Sequence, residues 1–425
     1  MAVVSETIKE MSGIKLHMVK TDKFKTNTII FKMKAPLQKE NVTKRALLPN
    51  VLQSNSKKFP TTGQLRGYLD ELYGATFYID LGKKGEYHTI SFAMEVANER
   101  FLSDPTPLLK TAIDFLVEVL TNPNVADGEF HNETLEKEKR SLKQRIQSIY
   151  DDKMKYSNNR LIEEMCKEEP YSLHVHGKES EVDSISGKDL YAYYKKALAE
   201  DELSLYIIGD IEEQEVEQMV NDKFTFSSRA SQAVEKKQPV QIEEKVIKEE
   251  QDVKQGKLNI GYRTNVAYGD PDYFALQVFN GVYGGFSHSK LFINVREKAS
   301  LAYYAASRVE SHKGLLMVMS GIDSSNFEKA VSIIKEQMQA MKNGDFSDDD
   351  LIQTKAVIRN QLLETLDTAR GIVEILYHNV VAGQQIQLDE WLQRIETVTK
   401  EEVVKVANKI QLDTIYFLTG KGATK

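Results

Sequence analysis

One order of elements is written twice into this chain of 425 residues, and a fold built on it must have two similar halves. In "VDSISGKDLYAYYKKALAEDELSLYIIGD" (182–210), Ser186 starts a helix with Asp189 three residues on, and an alternating strand follows over 203–209. In "IETVTKEEVVKVANKIQLDTIYFLTGK" (395–421), Thr399 and Glu402 stand in the same relation before a second helix and strand. A hydroxyl that caps the N3 amide, answered by an acid at N3, satisfies two otherwise orphaned backbone donors.

The match runs backward through both halves. "PLLKTAIDFLVEVLTNP" places Leu109, Ala112, Ile113, Leu116, Val119 and Leu120 on one helical face, and "NFEKAVSIIKEQMQAMKNG" does so with Phe327, Val331, Ile334, Met338 and Met341. Strands precede each helix: "NTIIFKMKA" and "EYHTISFAMEV" in the first half, "KLNIGYRTN" and "GLLMVMSGI" in the second. In "KLNIGYRTN", Leu258, Ile260 and Tyr262 alternate with polar partners. Acidic helix starts, "ADGEF" and "FSDDDL", then lead into long charged helices. The pattern predicts an α+β fold of two homologous domains related by pseudo-symmetry, each a mostly antiparallel sheet with helices packed on it. The polar stretch "SSRASQAVEKKQPVQIEEK" (227–245) reads as an exposed connector. Expected boundaries are an N-terminal domain over 1–228, a linker over 229–245 and a C-terminal domain over 246–425.

Composition narrows the function. A net charge of -7 with no long Lys/Arg stripe argues against nucleic acid as a partner. A single cysteine, Cys166, forms no internal disulfide and no thiolate set for zinc, which suits a reducing cytoplasm. No apolar run approaches the ~20 residues of a membrane helix, and no export signal opens the chain, so neither membrane nor secretion is expected.

Local chemistry is sparse. Of eight histidines, His174 and His176 in "SLHVHGKESE" lie closest together, but a zinc site takes three or four protein ligands and no third is evident, so a loop-lining role is expected. "NGVYGGFSHSK" (280–290) does not have the spacing of a phosphate-binding loop and reads as a flexible helix-to-helix loop. Asp348 to Asp350 after Ser347 read as a favourable first helical turn rather than a calcium loop.

Three stretches carry a resemblance: "SKLFINVREKASLAYYAASR" (289–308), "KKFPTTGQLRGYLDELYGATF" (57–77) and "YSLHVHGKESEVDSIS" (171–186). With the order of elements, they resemble the insulinase/pitrilysin family of zinc metallopeptidases, the inverted H-x-x-E-H group. The resemblance covers nearly the whole chain. It places Ala46 at the family's first zinc histidine, Pro49 at its catalytic glutamate and Asn50 at its second histidine. The distal glutamate ligand falls in "LEKEKRSLKQRIQ", with Gln144 the best match and Arg145 beside it.

The consequences are chemical. In the family's helix, positions i, i+3 and i+4 share one face, so two histidines bind zinc while the glutamate takes a proton from the bound water. Alanine has no donor atom, an amide is a weak ligand, and Pro49 inside a helix costs roughly 3 kcal/mol unless the helix starts late or kinks. The resemblance therefore implies no catalytic residue and no metal ligand in this chain. It also implies that the arginine and tyrosine with which family members hold substrate survive as Arg296 and Tyr303. Arg offers a fork of donors to carbonyl oxygens, and a Tyr hydroxyl can meet a developing oxyanion. The alternative is that Arg296 pairs with a helix carboxylate while Tyr303 packs at a strand start.

The expectation is a non-catalytic subunit of a heterodimeric peptidase. A zinc-bearing homologous partner would supply the metal, and this chain would close the chamber and bind a peptide or unfolded segment through Arg296 and Tyr303. A second reading is a proteolytically inactive binding scaffold, in peptide maturation or elongation factor P modification; a third is an inactive homodimer.

Overall fold

A computed structural model describes residues 4–103, 106–229, 232, 234 and 242–420. Of the connector expected over 229–245, residues 230, 231, 233 and 235–241 lie outside the described residues. The chain forms two compact units: Met1–Gln147 with Leu173–Val234 and Thr368–Glu374, and Ser148–Ser172 with Glu235–Asp367 and Ile375–Lys425.

The first unit is built on a six-stranded sheet. Its strands are β1 (Thr7–Met11), β2 (Ile14–Lys20), β3 (Thr26–Pro36), β4 (Thr76–Lys84), β5 (Tyr87–Ala97) and, after the short hairpin of β6 (Val125–Ala126) and β7 (Glu129–Phe130), β8 (Glu202–Gly209). The order is β1-β2-β8-β3-β5-β4, with only β2 and β8 parallel. Register aligns apolar rows across three strands: Ile207, Ile29 and Met94, then Leu205, Phe31 and Phe92, then Leu203, Met33 and Ile90. All are buried, in one core with Leu109, Ala112, Ile113, Leu116, Val119 and Leu120. Four helices serve the site: α1 (Val42–Ser54), α2 (Thr62–Glu71), α3 (Leu108–Thr121) and α4 (Asn132–Asp151).

In the second unit the strands are β9 (Lys245–Gln251), β10 (Gly256–Arg263), β11 (Ala302–Glu310), β12 (Leu315–Ile322) and β13 (Gln411–Gly420). Read as β9-β13-β10-β12-β11, with β9 and β13 the parallel pair, the sheet repeats the order β2-β8-β3-β5-β4 strand for strand. The pseudo-symmetric α+β fold is thus present in the pairing itself. The capping boxes at Ser186, Ser347 and Thr399 form as their spacings require. Phe327, Val331, Ile334, Met338 and Met341 are all buried.

Both faces of β10 are covered: Asn259, a polar alternate, is buried, because α5 (Lys153–Met165) packs on that side of the sheet. Leu161, Ile162, Met165 and Cys166 pack there against Leu315, Met317, Tyr416 and Leu418. A Cβ on Gly261 would come within 2.6 Å of Met165 Sδ, so glycine sets how closely helix and strand approach. The stretch 280–290, expected as a flexible loop, is largely helical. The helix Tyr273–Asn280 runs on through a π-helical turn, Gly281–Gly285, and only residues 286–289 bend before the next helical segment. Its glycines serve packing, since a Cβ would lie 2.5 Å from Thr354 Cγ2 at Gly281 and 2.5 Å from Ser307 Oγ at Gly284.

Candidate functional site

Helix α1 (Val42–Ser54) follows β3 and carries Ala46, Pro49 and Asn50, the residues that the resemblance aligns with the zinc motif. It runs without a break from Val42 to Ser54 with Pro49 inside it, neither starting late nor stopping short. Burial explains this. Leu47, Leu48, Val51 and Leu52 are each at most 2% exposed, and at ~1.5–3 kcal/mol per side chain their burial exceeds the roughly 3 kcal/mol cost of the proline.

Arg45 anchors the helix from within. Its guanidinium donates to Asp201 Oδ2 at 2.6 Å, Tyr193 Oη at 3.2 Å, Met33 O at 3.0 Å and, through Nε, His88 O at 3.2 Å. Burial opposes the charge, yet Asp201 and Tyr193 hold its pKa above the ordinary arginine value.

The remaining side chains do not form a zinc site. Ala46 offers no donor and Pro49 no carboxylate. Asn50 donates through Nδ2 to Ala46 O at 2.9 Å, and its Oδ1 accepts a hydrogen bond from Arg145 Nη1. Helix α4, aligned by the bonds Ser54 Oγ to Glu138 (2.8 Å) and Asn55 Nδ2 to Thr134 Oγ1 (2.7 Å), brings Arg145 to α1. Gln144, the better match by sequence, and Arg145 are both exposed residues, and Arg145 is the one bonded to Asn50. Arg145 therefore sets a guanidinium against Asn50, and a cation cannot ligate a cation. The donor set does not fit zinc. Among the described residues no group of three or more His, Cys, Asp or Glu is placed to hold a metal ion.

The His174 loop seats against the start of α1. Gly177 has φ of +72°, and a Cβ there would lie 2.5 Å from Thr43 Cα. His174 Nδ1 accepts the backbone N–H of His176 at 3.1 Å, and the two rings lie 5.4 Å apart. Burial, then the neighbouring His176 and Lys83, push the His174 pKa down to about 3. His176 is lowered by burial and by Arg145, and His88 well below its ordinary value by burial and Arg45. The two histidines line this loop, and burial favours their neutral rings.

In the second unit, Arg296 lies on the π-helical segment Phe292–Lys298. Asn294 pins that segment, donating to Lys290 O and Gln337 Oε1, both at 2.9 Å. The Arg296 guanidinium sits 4.5 Å over the Phe292 ring and 3.6 Å from Glu297 Oε1, while its side chain remains 43% exposed. Ser300 then turns the chain through a left-handed backbone (φ 50°) into the edge strand β11. Ala302 pairs with Ile322 and Tyr304 with Gly321, leaving Tyr303 as the extra residue of a β-bulge. Such bulges re-aim side chains. Tyr303 does not pack at the strand start, being 79% exposed. Among the described residues Arg296 meets Phe292 and Glu297 rather than Tyr303. The ring beneath Arg296 went unread in the sequence, although Phe292 lies four residues before it, one helical turn away. The bulge had no sequence signal beyond the crowding of residues between helix and strand.

Comparison with known proteins follows the same lines. The family description "Peptidase M16 inactive domain" matches residues 184–358. The chain is 55% identical over 421 residues to the "Probable inactive metalloprotease YmfF" of Bacillus subtilis (strain 168), covering 99% of each. It is 23% identical to the mitochondrial-processing peptidase subunit beta of Saccharomyces cerevisiae, over 70% of this chain and 67% of that protein. The crystal structure of a conserved protein from Enterococcus faecalis V583 superposes with a TM-score of 0.90 at 36% identity, over 98% of this chain and 99% of that one. On this similarity over nearly its full length, the chain belongs to the M16, or insulinase/pitrilysin, peptidase family as an inactive homologue.

Proposed function

We propose that this chain is the non-catalytic subunit of a heterodimeric M16 peptidase, in which a homologous partner supplies the zinc helix and this chain binds the peptide substrate through Arg296 and Tyr303. One contrast carries the reading. The metal helix has Ala46, Pro49, Asn50 and a facing Arg145, whereas Tyr303 stands 79% exposed on a bulge with no packing duty. An exposed tyrosine hydroxyl and a forked guanidinium suit backbone carbonyls of an extended segment. A similarity to one subunit of a processing peptidase fits a divided site. The one cysteine, buried Cys166, fits a cytoplasmic complex.

The test is co-purification with a zinc-bearing homologue, followed by peptide cleavage. Wild type should raise the partner's cleavage rate, and Arg296→Ala or Tyr303→Phe should reduce it by roughly one to three orders of magnitude, the range for a lost transition-state donor. Undiminished cleavage by the partner alone would refute the assignment. The scaffold reading draws on β11, an edge strand suited to strand addition. Recovery of an intact client without any zinc-bearing homologue would favour it.

A further inference from the structure

We propose that the exposed face of the helix Asp348–Thr365 pairs antiparallel with the same face of a second copy of this chain. The duplicated fold supplies the comparison. In the first unit Lys139 on α4 donates to Asp183 O at 3.4 Å, three residues before the capping Ser186. In the second unit Lys355 donates to Glu396 O at 2.9 Å, three residues before the capping Thr399. The two lysines therefore mark equivalent places, and their neighbours can be matched step for step. Three residues before, four after and eight after Lys139 stand Glu136, Lys143 and Gln147, each bonded inside the first unit. Glu136 accepts from Lys139 at 2.8 Å, Lys143 donates to both Asp183 oxygens at 2.8 and 2.9 Å, and Gln147 donates to Glu179 at 2.6 Å. The same steps from Lys355 lead to Ile352, Arg359 and Leu363.

A satisfied polar face has thus become one with apolar ends and unused charges. Ile352 is 64% exposed and Leu363 37%. Among the described residues no hydrogen bond or ion pair holds the Arg359 guanidinium, and Glu396 is engaged only through its backbone oxygen. Ile352, Ala356, Arg359 and Glu396 line one groove. On the helix, Ile352, Ala356, Arg359 and Leu363 follow at steps of four, three and four residues, the spacing by which one helix presents a seam to another. Antiparallel pairing about a two-fold axis sets Ile352 on its partner's Leu363 and lays Arg359 over its partner's Ala356, whose small side chain leaves room for the arginine stem. Glu396 lies beside Lys355, next to Ala356, so each guanidinium arrives at its partner's Glu396 carboxylate. A patch holding one unpaired cation and one unpaired anion is self-complementary, as a two-fold contact requires. An acidic helix of another protein would satisfy Arg359 but meet Glu396 as a like charge. The seam runs about 16 Å at 1.5 Å per residue. One helix pair of that length buries less than the ~800 Å² per partner of a standard interface, so the dimer is weak and depends on concentration.

The experiment is sedimentation equilibrium of the full chain alone, from about 1 to 300 μM, the range in which a weak contact of this kind populates both states. The mean mass should climb from the single-chain 48.4 kDa towards twice that value. Ile352→Glu, and separately Arg359→Glu, should each weaken association by about tenfold or more, the first by placing a charge against its partner's Leu363 and the second by opposing Glu396 with a like charge. Both positions are exposed, so these variants should fold as wild type does. Exchanging the charges, Arg359→Glu with Glu396→Arg, should restore most of the association, a rescue that no general loss of surface charge would give. A mass of one chain at every concentration, a dimer indifferent to Ile352→Glu, or a charge exchange that fails to rescue overturns the assignment. If the chain stays single and Ile352→Glu instead prevents co-purification with a zinc-bearing homologue, the face belongs to that homologue; the second-copy contact falls and the proposed function stands.

Discussion

Replacing Asp201 by Asn tests whether α1 is held by its buried charge. Arg45 is 1% exposed and keeps three acceptors in the variant, Met33 O, His88 O and Tyr193 Oη, but none carries a negative charge. Removing one partner of a buried pair typically costs 3–5 kcal/mol, because the remaining charge is stranded out of water. Asp201→Asn should therefore destabilise the first unit by about 3–5 kcal/mol. Arg45→Met should behave differently with pH. Burial already pushes the Asp201 carboxyl up, and without Arg45 that group can take a proton, so the Arg45→Met deficit relative to wild type should shrink as pH falls. The probe must be local, since two units need not unfold in one step. The only tryptophan, Trp391, lies in the second unit and does not report on α1. Amide hydrogen exchange of peptides from α1, β3 and β5 across a urea series does. A loss below about 1 kcal/mol, comparable to an exposed ion pair, would refute the idea that this pair fixes the helix.

Other outcomes follow from single contacts. His174 has a folded pKa near 3 against an ordinary 6.5, so its neutral-state stabilisation is complete above pH 6.5 and lost on acidification toward 3; thermal melts from pH 7 to 5 should show a loss of about 1.4 kcal/mol per unit below 6.5 that His174→Gln lacks. Gly177→Ala combines a left-handed backbone with a Cβ 2.5 Å from Thr43 Cα and should cost at least about 2 kcal/mol, read as faster exchange in residues 173–178. Tyr303→Ala, at a site 79% exposed, should leave urea stability within about 0.5 kcal/mol of wild type, so that any loss of peptide binding is not a folding defect.

What was legible in the sequence was periodic or local. Capping pairs such as Ser186 with Asp189, and apolar faces such as Leu109 to Leu120, are set within one turn of helix, so they survive whatever the chain does elsewhere. Non-local packing was not legible. Nothing in the sequence near Asn259 announces that residues a hundred positions earlier will cover it. Pro49 looked like a break because the burial that outweighs it comes from tertiary contacts. For the candidate site, the residue types at Ala46, Pro49 and Asn50 were readable, whereas the contact of Arg145 with Asn50 depended on which side of α4 meets α1.

The cover that α5 gives the second sheet bears on how such a protein can be divided. Leu315, Met317, Tyr416 and Leu418 are buried by residues 161–171, which precede the connector in the chain. A polypeptide of residues 246–425 made alone would leave that apolar wall wet, an aggregation surface of the kind monomers avoid. Supplied together as separate chains, the two fragments should complement each other, with Ser148–Ser172 contributed in trans. A duplicated gene that placed this helix on the other copy's sheet would have made each copy dependent on its sibling, and splitting it again into two free domains would require a new cover for that wall.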